Sequence, residues 1–113
     1  MIVKNLLDVF EKHGFKWNGV NYTCGFYRVR KLNGTYYLEK FIGYKYRRAE
    51  YDNIAYFYCN NLTNSWFDYE VNEQDFNVFK KEMTNAVRDT KLKRIQSYFK
   101  HDESHYSHLH ANN

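Results

Sequence analysis

Proline is absent from this chain of 113 residues, which contains only five glycines and two cysteines. Without proline, we expect Gly, Asn and Asp to form the turns, because these residues accept the left-handed backbone of tight turns. Cys24 and Cys59 are too far apart in sequence for a Cys-x-x-Cys site, which excludes that class of metal or redox motif. The glycines are too scattered to form a glycine-rich phosphate-binding loop.

The chain also lacks any run of about 18 apolar residues, so the sequence predicts no transmembrane helix. Residues 1–14 are too charged, and their apolar stretch is too short, for a signal peptide. We therefore expect a cytoplasmic protein in which both cysteines remain reduced.

Aromatic residues, in contrast, are abundant. They make up 20% of the chain, with 12 tyrosines, 9 phenylalanines and 2 tryptophans. Each ring buries a large apolar area when it packs, so this content argues against disorder. The length favours one domain, which we expect over residues 1–100, followed by a flexible histidine-rich tail over residues 101–113.

A helix is predicted over residues 2–13. Apolar side chains recur there at helical spacing, opposite charged ones, and form a stripe of Ile2, Val3, Leu6, Leu7 and Phe10. Gly14 is well placed to end this helix, because glycine readily adopts the left-handed backbone that follows a helix. We expect the apolar stripe to pack in the core.

Strand-like patterns follow this helix. Alternating apolar and polar residues, bounded by turn residues, predict strands over 20–31, 35–42, 53–59 and 65–71. Asn33-Gly34 is the strongest turn signal and predicts a hairpin between the first two of these strands. Gly25 is a candidate β-bulge, and Gly43 is expected to bend or end its strand. The result is an antiparallel meander of about four strands.

A C-terminal helix is predicted after Asn72, which is a suitable N-cap residue. Its apolar stripe shifts phase after Val87, so either the helix kinks near Asp89-Thr90 or a second helix begins there. The order helix, meander, helix predicts an α+β fold in which one or both helices cover one sheet face.

Basic and aromatic residues alternate between residues 26 and 48. This segment contains seven Lys or Arg residues and one acidic residue, Glu39, a net charge of +6 against +4 for the whole chain. Rings beside cations can stack on bases and hold phosphates. The candidate binding residues are Tyr27, Arg28, Arg30, Lys31, Tyr37, Tyr44, Lys45, Tyr46, Arg47 and Arg48. The same pattern also fits a tyrosine-rich sheet with a solvated basic face.

Charge is segregated along the rest of the chain. Residues 50–79 contain six acidic residues and no Lys or Arg, whereas residues 80–100 contain seven Lys or Arg and two acidic residues. The basic segment on the C-terminal helix could add phosphate contacts, although helices are commonly Lys-rich for solubility alone. The acidic segment offers an alternative function, a protein inhibitor that mimics phosphates, for example against a bacterial defence nuclease.

Metal-dependent catalysis is a second alternative. If the tail is helical, His101, His105 and His108 share one face and form a feasible site for zinc or nickel. Asp68 and Glu70 alternate on one predicted strand and could hold the metal of a small nuclease. We expect neither site, because a chain end gives only adventitious affinity and the carboxylates fit capping and edge roles better.

The Asn, Lys and Tyr richness and the absence of proline resemble small phage or mobile-element proteins of low-GC bacteria. That resemblance implies a protein that binds a host complex. We therefore expect a non-enzymatic binding protein without a cofactor, whose partner is nucleic acid or a nucleic-acid-handling complex. An exposed edge strand would also favour a homodimer.

Overall fold

The computed structural model describes residues 1–62 and 68–111, with side chains described as far as Gln96. In chain order the elements are β1 (Ile2–Val3), α1 (Leu6–Lys12), β2 (Lys16–Trp17), β3 (Tyr22–Cys24), β4 (Tyr27–Leu32), β5 (Thr35–Lys45), β6 (Arg48–Asn61), β7 (Tyr69–Val71) and α2 (Glu73–Ala111). Within the described residues the strands form one antiparallel sheet in the order β1-β7-β6-β5-β4-β3-β2. The expected α+β class is confirmed.

The helices cover one face of this sheet, which we call the inner face; the opposite side is the outer face. Successive strand residues point to opposite faces, so Tyr36 is buried inside while Tyr37 lies outside. The ring centroid of Phe10 in α1 lies 5.2 Å from that of Tyr36. The ring of Phe57 on β6 lies 4.7 Å from Phe79 of α2. Both helices therefore pack on the same layer.

The core between helices and sheet is rich in phenylalanine. Its largest fully buried side chains are Phe10, Phe15, Phe57, Phe76, Phe79, Leu6, Leu38 and Met83. Each contributes roughly 1.5–3 kcal/mol to folding through burial of apolar surface. Because they come from both helices and the central strands, they fix the sheet beneath the helices as one unit.

The N-terminal helix is shorter than predicted. Ile2 and Val3 form strand β1, which pairs with β7, and the helix begins only at Leu6. The amide of Val71 donates to the carbonyl of Met1 at 2.9 Å, and Val3 is buried. β-branched residues favour strands, so an open sheet edge overrides the helical spacing at this end. Leu6 and Phe10 keep their predicted buried stripe.

The sheet has more strands than the four predicted. Residues 20–31 divide into β3 and β4 at Gly25, which forms a turn (φ +59°) rather than a bulge. The third predicted strand extends to Arg48–Asn61. Of the predicted strand over residues 65–71, Tyr69–Val71 is observed, and residues 65–67 lie outside the described part of the chain.

The C-terminal helix α2 runs without interruption through Asp89 and Thr90, so the alternative in which a second helix begins there is wrong. Thr90 donates its hydroxyl to the Ala86 carbonyl at 2.8 Å and packs against the β3–β4 turn. Leu92 and Ile95 are exposed, which accounts for the phase shift of the stripe: this part of the helix has left the core.

The helical backbone of α2 continues to Ala111, through most of the segment that we expected to be a flexible tail. The side chains of His101, His105 and His108 lie outside the described side chains, so the expectation that they form no metal site is not tested. Although α2 is long, no helix among the described residues is apolar enough to cross a membrane.

Candidate functional site

Strands β5 and β6 extend beyond the rest of the sheet as a two-stranded arm. Strand β4 pairs with β5 only as far as Lys40, whereas the β5–β6 pairing continues to Lys45 opposite Arg48. We call residues 43–50 the arm. Every side chain from residue 44 to residue 50 is exposed. The arm therefore projects into solvent on both of its faces.

The turn at the tip of the arm is built from unfavourable residues. Tyr46 and Arg47 both have positive φ, 53° and 66°. Two-residue hairpin turns of this kind favour Asn-Gly, and each ordinary L-residue in the left-handed region costs roughly 1–2 kcal/mol. The β4–β5 hairpin of the same sheet follows the rule, with Asn33 at φ 50° and Gly34 at φ 78°. The tip therefore departs from a rule that the same sheet obeys elsewhere.

Charge at the tip is also unfavourable for folding. Lys45 and Arg48 are direct cross-strand partners, and like charges in this position destabilise a hairpin. Arg47 adds a third cation, and Glu50 is the one acidic residue of the arm. The rings of Tyr44 and Tyr46 are 77% and 88% exposed. The tip thus concentrates cations and accessible rings at a cost in local stability.

On the outer face, a buried carboxylate holds two arginines. The Nε of Arg28 donates to Glu39 at 3.0 Å, and Arg30 donates through Nε at 2.9 Å and through Nη2 at 3.2 Å. Glu39 is only 8% exposed. Burial alone would raise the pKa of Glu39, but the hydrogen bonds and charges of the two arginines lower that pKa below its ordinary value. This carboxylate therefore neutralises part of the outer face.

Aromatic rings complete the outer face around these arginines. The guanidinium carbon of Arg28 lies 3.5 Å from the centroid of the Tyr51 ring, and that of Arg30 lies 5.5 Å from Tyr37. Tyr37 in turn lies 6.1 Å from Tyr56 across the β5–β6 pair. A guanidinium stacked on a ring keeps its in-plane N–H groups directed sideways, where they can meet carboxylate or phosphate oxygens.

Two of the ten candidate binding residues lie away from this surface. Tyr27 is buried on the inner face and donates its hydroxyl to Asp89 of α2 at 2.6 Å. Burial and this hydrogen bond raise the pKa of Tyr27 to about 12. Lys31 also belongs to the inner side, where its ammonium lies 5.4 Å from the ring of Tyr36. Strand alternation separates both residues from Arg28 and Arg30.

Sequence reasoning missed three tyrosines of β6. Tyr51 packs under Arg28, and Tyr56 and Tyr58 are 59% and 56% exposed. The signal was present in the alternation of Tyr56 and Tyr58 with buried Phe57 and Cys59. That Tyr56 lies beside Tyr37 could be seen only from the register of β6 against β5, in which these two residues are cross-strand partners.

The acidic segment has structural uses in the fold. Asp68 accepts a hydrogen bond from the Asn5 amide at 3.3 Å, which ties it to the start of α1. Asn72 caps α2 through a 3.0 Å bond from the Asp75 amide, and Glu73 and Asp75 lie in the first turn, where the helix dipole favours negative charge. Among the described residues, no three His, Cys, Asp or Glu side chains gather in a way that could hold a metal ion.

The basic residues of α2 are dispersed by comparison. Lys93 lies 3.3 Å from Asp89, and its ammonium is 5.8 Å from the ring of Phe26 at the edge of the outer face. Lys80 lies over the ring of Phe76. Arg88, Lys91 and Arg94 are exposed. The described cations of α2 therefore do not cluster around exposed aromatic rings as the cations at the tip of the arm do.

Comparison of the chain with protein-family models, curated proteins and solved structures gives no match. The chemistry of the surface is therefore the basis for a functional proposal. An arm of this kind can enter the major groove of B-form DNA, which is wide enough for a two-stranded ribbon. Its exposed rings can equally stack on unpaired bases.

Proposed function

We propose that this protein is a non-enzymatic binding protein whose partner is nucleic acid, alone or within a nucleoprotein. The tip of the β5–β6 arm is the centre of the interface. Lys45, Arg47 and Arg48 contact phosphates, and Tyr44 and Tyr46 contact bases. The outer face beside the arm extends this surface through stacked Arg28.

The unfavourable tip is the observation that carries this proposal. A turn selected only for folding would replace Tyr46-Arg47 with Asn-Gly, as the sheet does at Asn33-Gly34. It would also avoid placing Lys45 opposite Arg48. Positions that break local rules without a compensating contact are typical of functional sites. The Lys45 ammonium lies 5.6 Å from the exposed ring of Tyr46, a contact that leaves the repulsion between Lys45 and Arg48 in place. Bound phosphate groups would offset that repulsion.

The outer face also supports nucleic-acid binding, but it contributes less to the affinity than the arm does. Arg28 and Arg30 are oriented by Glu39 and by the rings beneath them, so they lose little further side-chain entropy on binding. Glu39 also lowers the net charge that they present. We therefore assign most of the salt-dependent affinity to the arm and a positioning role to the outer face.

Fluorescence anisotropy with labelled single- and double-stranded DNA and RNA tests the proposal. The tip variant Lys45→Gln/Arg47→Gln/Arg48→Gln should weaken binding by about 10–100-fold, because it removes three phosphate contacts. The matched control Lys4→Gln/Lys81→Gln/Lys91→Gln removes the same charge from exposed positions elsewhere and should lose much less affinity. Comparable losses in both variants would mean that only net charge matters and that the arm is not the interface.

Tyr44→Ser/Tyr46→Ser separates base contacts from phosphate contacts. Stacking contributes roughly 1–3 kcal/mol per base, so this variant should weaken binding to single strands without changing the salt dependence. If the wild-type protein binds no nucleic acid at low salt, the proposal fails. Tyr and Arg at the tip would then point to a protein partner, as in the inhibitor hypothesis.

A further inference from the structure

A cavity of about 540 Å³ lies on the inner side of the sheet, between α1 and the β2–β3 hairpin and away from the arm. Its lining includes the aromatic residues Trp17, Tyr22 and Tyr36 and the charged residues Glu11 and Lys31. Pockets of this size that combine apolar walls with a few polar groups are typical ligand sites.

Two apolar residues that line the cavity remain largely exposed. Trp17 is 57% exposed and Val20 is 74% exposed. The hairpin turn that carries Val20 is fixed, because Asn18 Oδ1 accepts hydrogen bonds from the amides of Val20 at 2.9 Å and Asn21 at 2.8 Å. An ordered turn therefore holds apolar side chains in solvent around a cavity, which suits a ligand that covers them.

The walls of the cavity offer rings at different depths. The indole of Trp17 lies 5.2 Å from the ring of buried Tyr22, at a tilt of 55°. Tyr36, also buried, packs against Phe10 of α1 at 5.2 Å. Tyr22 and Tyr36 are held by the core, and exposed Trp17 packs on Tyr22, so the aromatic wall is formed before any ligand binds. A planar ring system is the complement of such a wall.

The cavity lining also contains two residues of opposite charge, Glu11 and Lys31. Glu11 and Tyr22 line the cavity together; burial raises the pKa of Tyr22, and the charge of Glu11 raises it further. The ammonium of Lys31 instead lies 5.4 Å from the Tyr36 ring and 5.2 Å from the Tyr69 ring. A ligand seated between them would present an anion to Lys31 and a hydrogen-bond donor to Glu11.

We infer that this cavity binds a small planar aromatic ligand that carries both an anionic group and a hydrogen-bond donor, the chemistry of an amino-substituted purine nucleotide. Trp17 and Tyr22 contact the ring, Lys31 binds the phosphate and Glu11 accepts from the exocyclic amine. The inference does not depend on the proposed function, because the arm contributes no residue to this cavity.

Isothermal titration calorimetry of the full chain with adenosine 5′-monophosphate tests the inference. Adenosine, which lacks the phosphate, should bind about tenfold more weakly, and purine riboside 5′-monophosphate, which lacks the amine, should also bind more weakly. Absence of binding by adenosine 5′-monophosphate at millimolar concentration, or equal affinity for adenosine, would overturn the proposal.

Variants locate the binding to the cavity. Lys31→Gln should lose about tenfold in affinity for adenosine 5′-monophosphate and nothing for adenosine, because the lost contact involves the phosphate alone. Lys16→Gln, on the adjacent edge strand, is the matched control and should bind normally. Glu11→Gln should lose affinity for adenosine 5′-monophosphate and not for purine riboside 5′-monophosphate.

The arm provides the final control. Lys45→Gln/Arg47→Gln/Arg48→Gln should bind adenosine 5′-monophosphate with unchanged affinity, even if it no longer binds nucleic acid. Loss of mononucleotide binding in this tip variant, with Lys31→Gln unaffected, would show that the arm binds the mononucleotide and that the cavity does not.

Discussion

Lys45 and Arg48 stand directly opposite each other across β5 and β6, at the last rung before the tip of the hairpin. Between them, Tyr46 and Arg47 close the turn with positive φ at both positions. Cross-strand repulsion and left-handed backbone both oppose folding at this point. The fold tolerates them because the core beneath the helices stabilises the rest of β5 and β6.

The first prediction concerns this turn. Tyr46→Asn/Arg47→Gly should raise the free energy of unfolding by about 1 kcal/mol, since both new residues accept positive φ. The same variant should weaken nucleic-acid binding, because it removes an exposed ring and a cation. Urea denaturation and anisotropy on one preparation measure both effects. A variant that loses stability would contradict the assignment of strain to this turn.

The second prediction concerns the buried carboxylate of the outer face. Glu39→Gln should destabilise the protein by about 2 kcal/mol, less than for a fully buried pair because both arginines keep partial contact with water. Exposed Glu50→Gln should change stability by less than about 0.5 kcal/mol. If the two substitutions changed the free energy of unfolding equally, the pairing of Glu39 with the two arginines would not stabilise the fold.

Glu39 should also make stability depend on pH. Its pKa in the fold lies below the ordinary 4.5, so its contribution is present above that pH and is lost as pH falls through the folded-state value. The unfolding free energy of Glu39→Gln should therefore fall less steeply than wild type below pH 4.5. The hydrogen bond from Tyr27 lowers the pKa of Asp89 as well, so Asp89 also makes stability depend on pH under acid conditions. The same measurement on Asp89→Asn separates its contribution from that of Glu39.

The third prediction separates Tyr27 from the binding surface. Tyr27→Phe removes the 2.6 Å hydrogen bond to Asp89 that ties β4 to α2, so stability should fall by about 1 kcal/mol. Nucleic-acid affinity should not change, since the ring is buried on the inner face. Exposed Tyr58→Phe should leave stability unchanged. A loss of affinity in Tyr27→Phe without unfolding would show that the residue takes part in binding.

The fourth prediction tests the packing of α2 on the β3–β4 turn. Gly25 has φ +59°, and a Cβ there would lie 2.7 Å from the side chain of Thr90. Gly25→Ala should cost about 2–3 kcal/mol, from backbone strain and the steric clash together. Gly19 has φ +98°, and nothing lies within 4 Å of a Cβ added there. Gly19→Ala should therefore show the cost of backbone strain without a steric clash. Thermal unfolding should show the larger loss in Gly25→Ala, although φ +59° is the more tolerable backbone angle for alanine. A larger loss in Gly19→Ala would mean that α2 does not press on the turn.

Local patterns in the sequence were sufficient for several elements of the fold. Asn33-Gly34 predicted its hairpin correctly because turn chemistry is local, and Asn72 predicted the start of α2 for the same reason. The strand predicted over residues 35–42 is observed within β5 for a similar reason, because its apolar and polar residues alternate. These features depend on a few neighbouring residues and little on the rest of the chain.

Long-range contacts account for what the sequence did not show. Ile2 and Val3 fit a helical stripe, but the distant strand β7 recruits them into the sheet. The segment at Asp89-Thr90 fitted a kink or a second helix, because the packing of Thr90 against Gly25 is visible only in three dimensions. At the candidate site, the pattern identified the arm residues, whereas the neutralising role of Glu39 and the contribution of Tyr51 depended on strand register.

The salt dependence of nucleic-acid binding tests the central claim most directly. The logarithm of the association constant should fall with the logarithm of salt concentration, by about 0.7–0.9 per phosphate contact. Lys45→Gln/Arg47→Gln/Arg48→Gln should reduce this slope by about 2–3 relative to wild type, as expected for three lost contacts. Affinity that is absent or independent of salt, or a slope equal in both proteins, would contradict the assignment of the arm as a nucleic-acid interface.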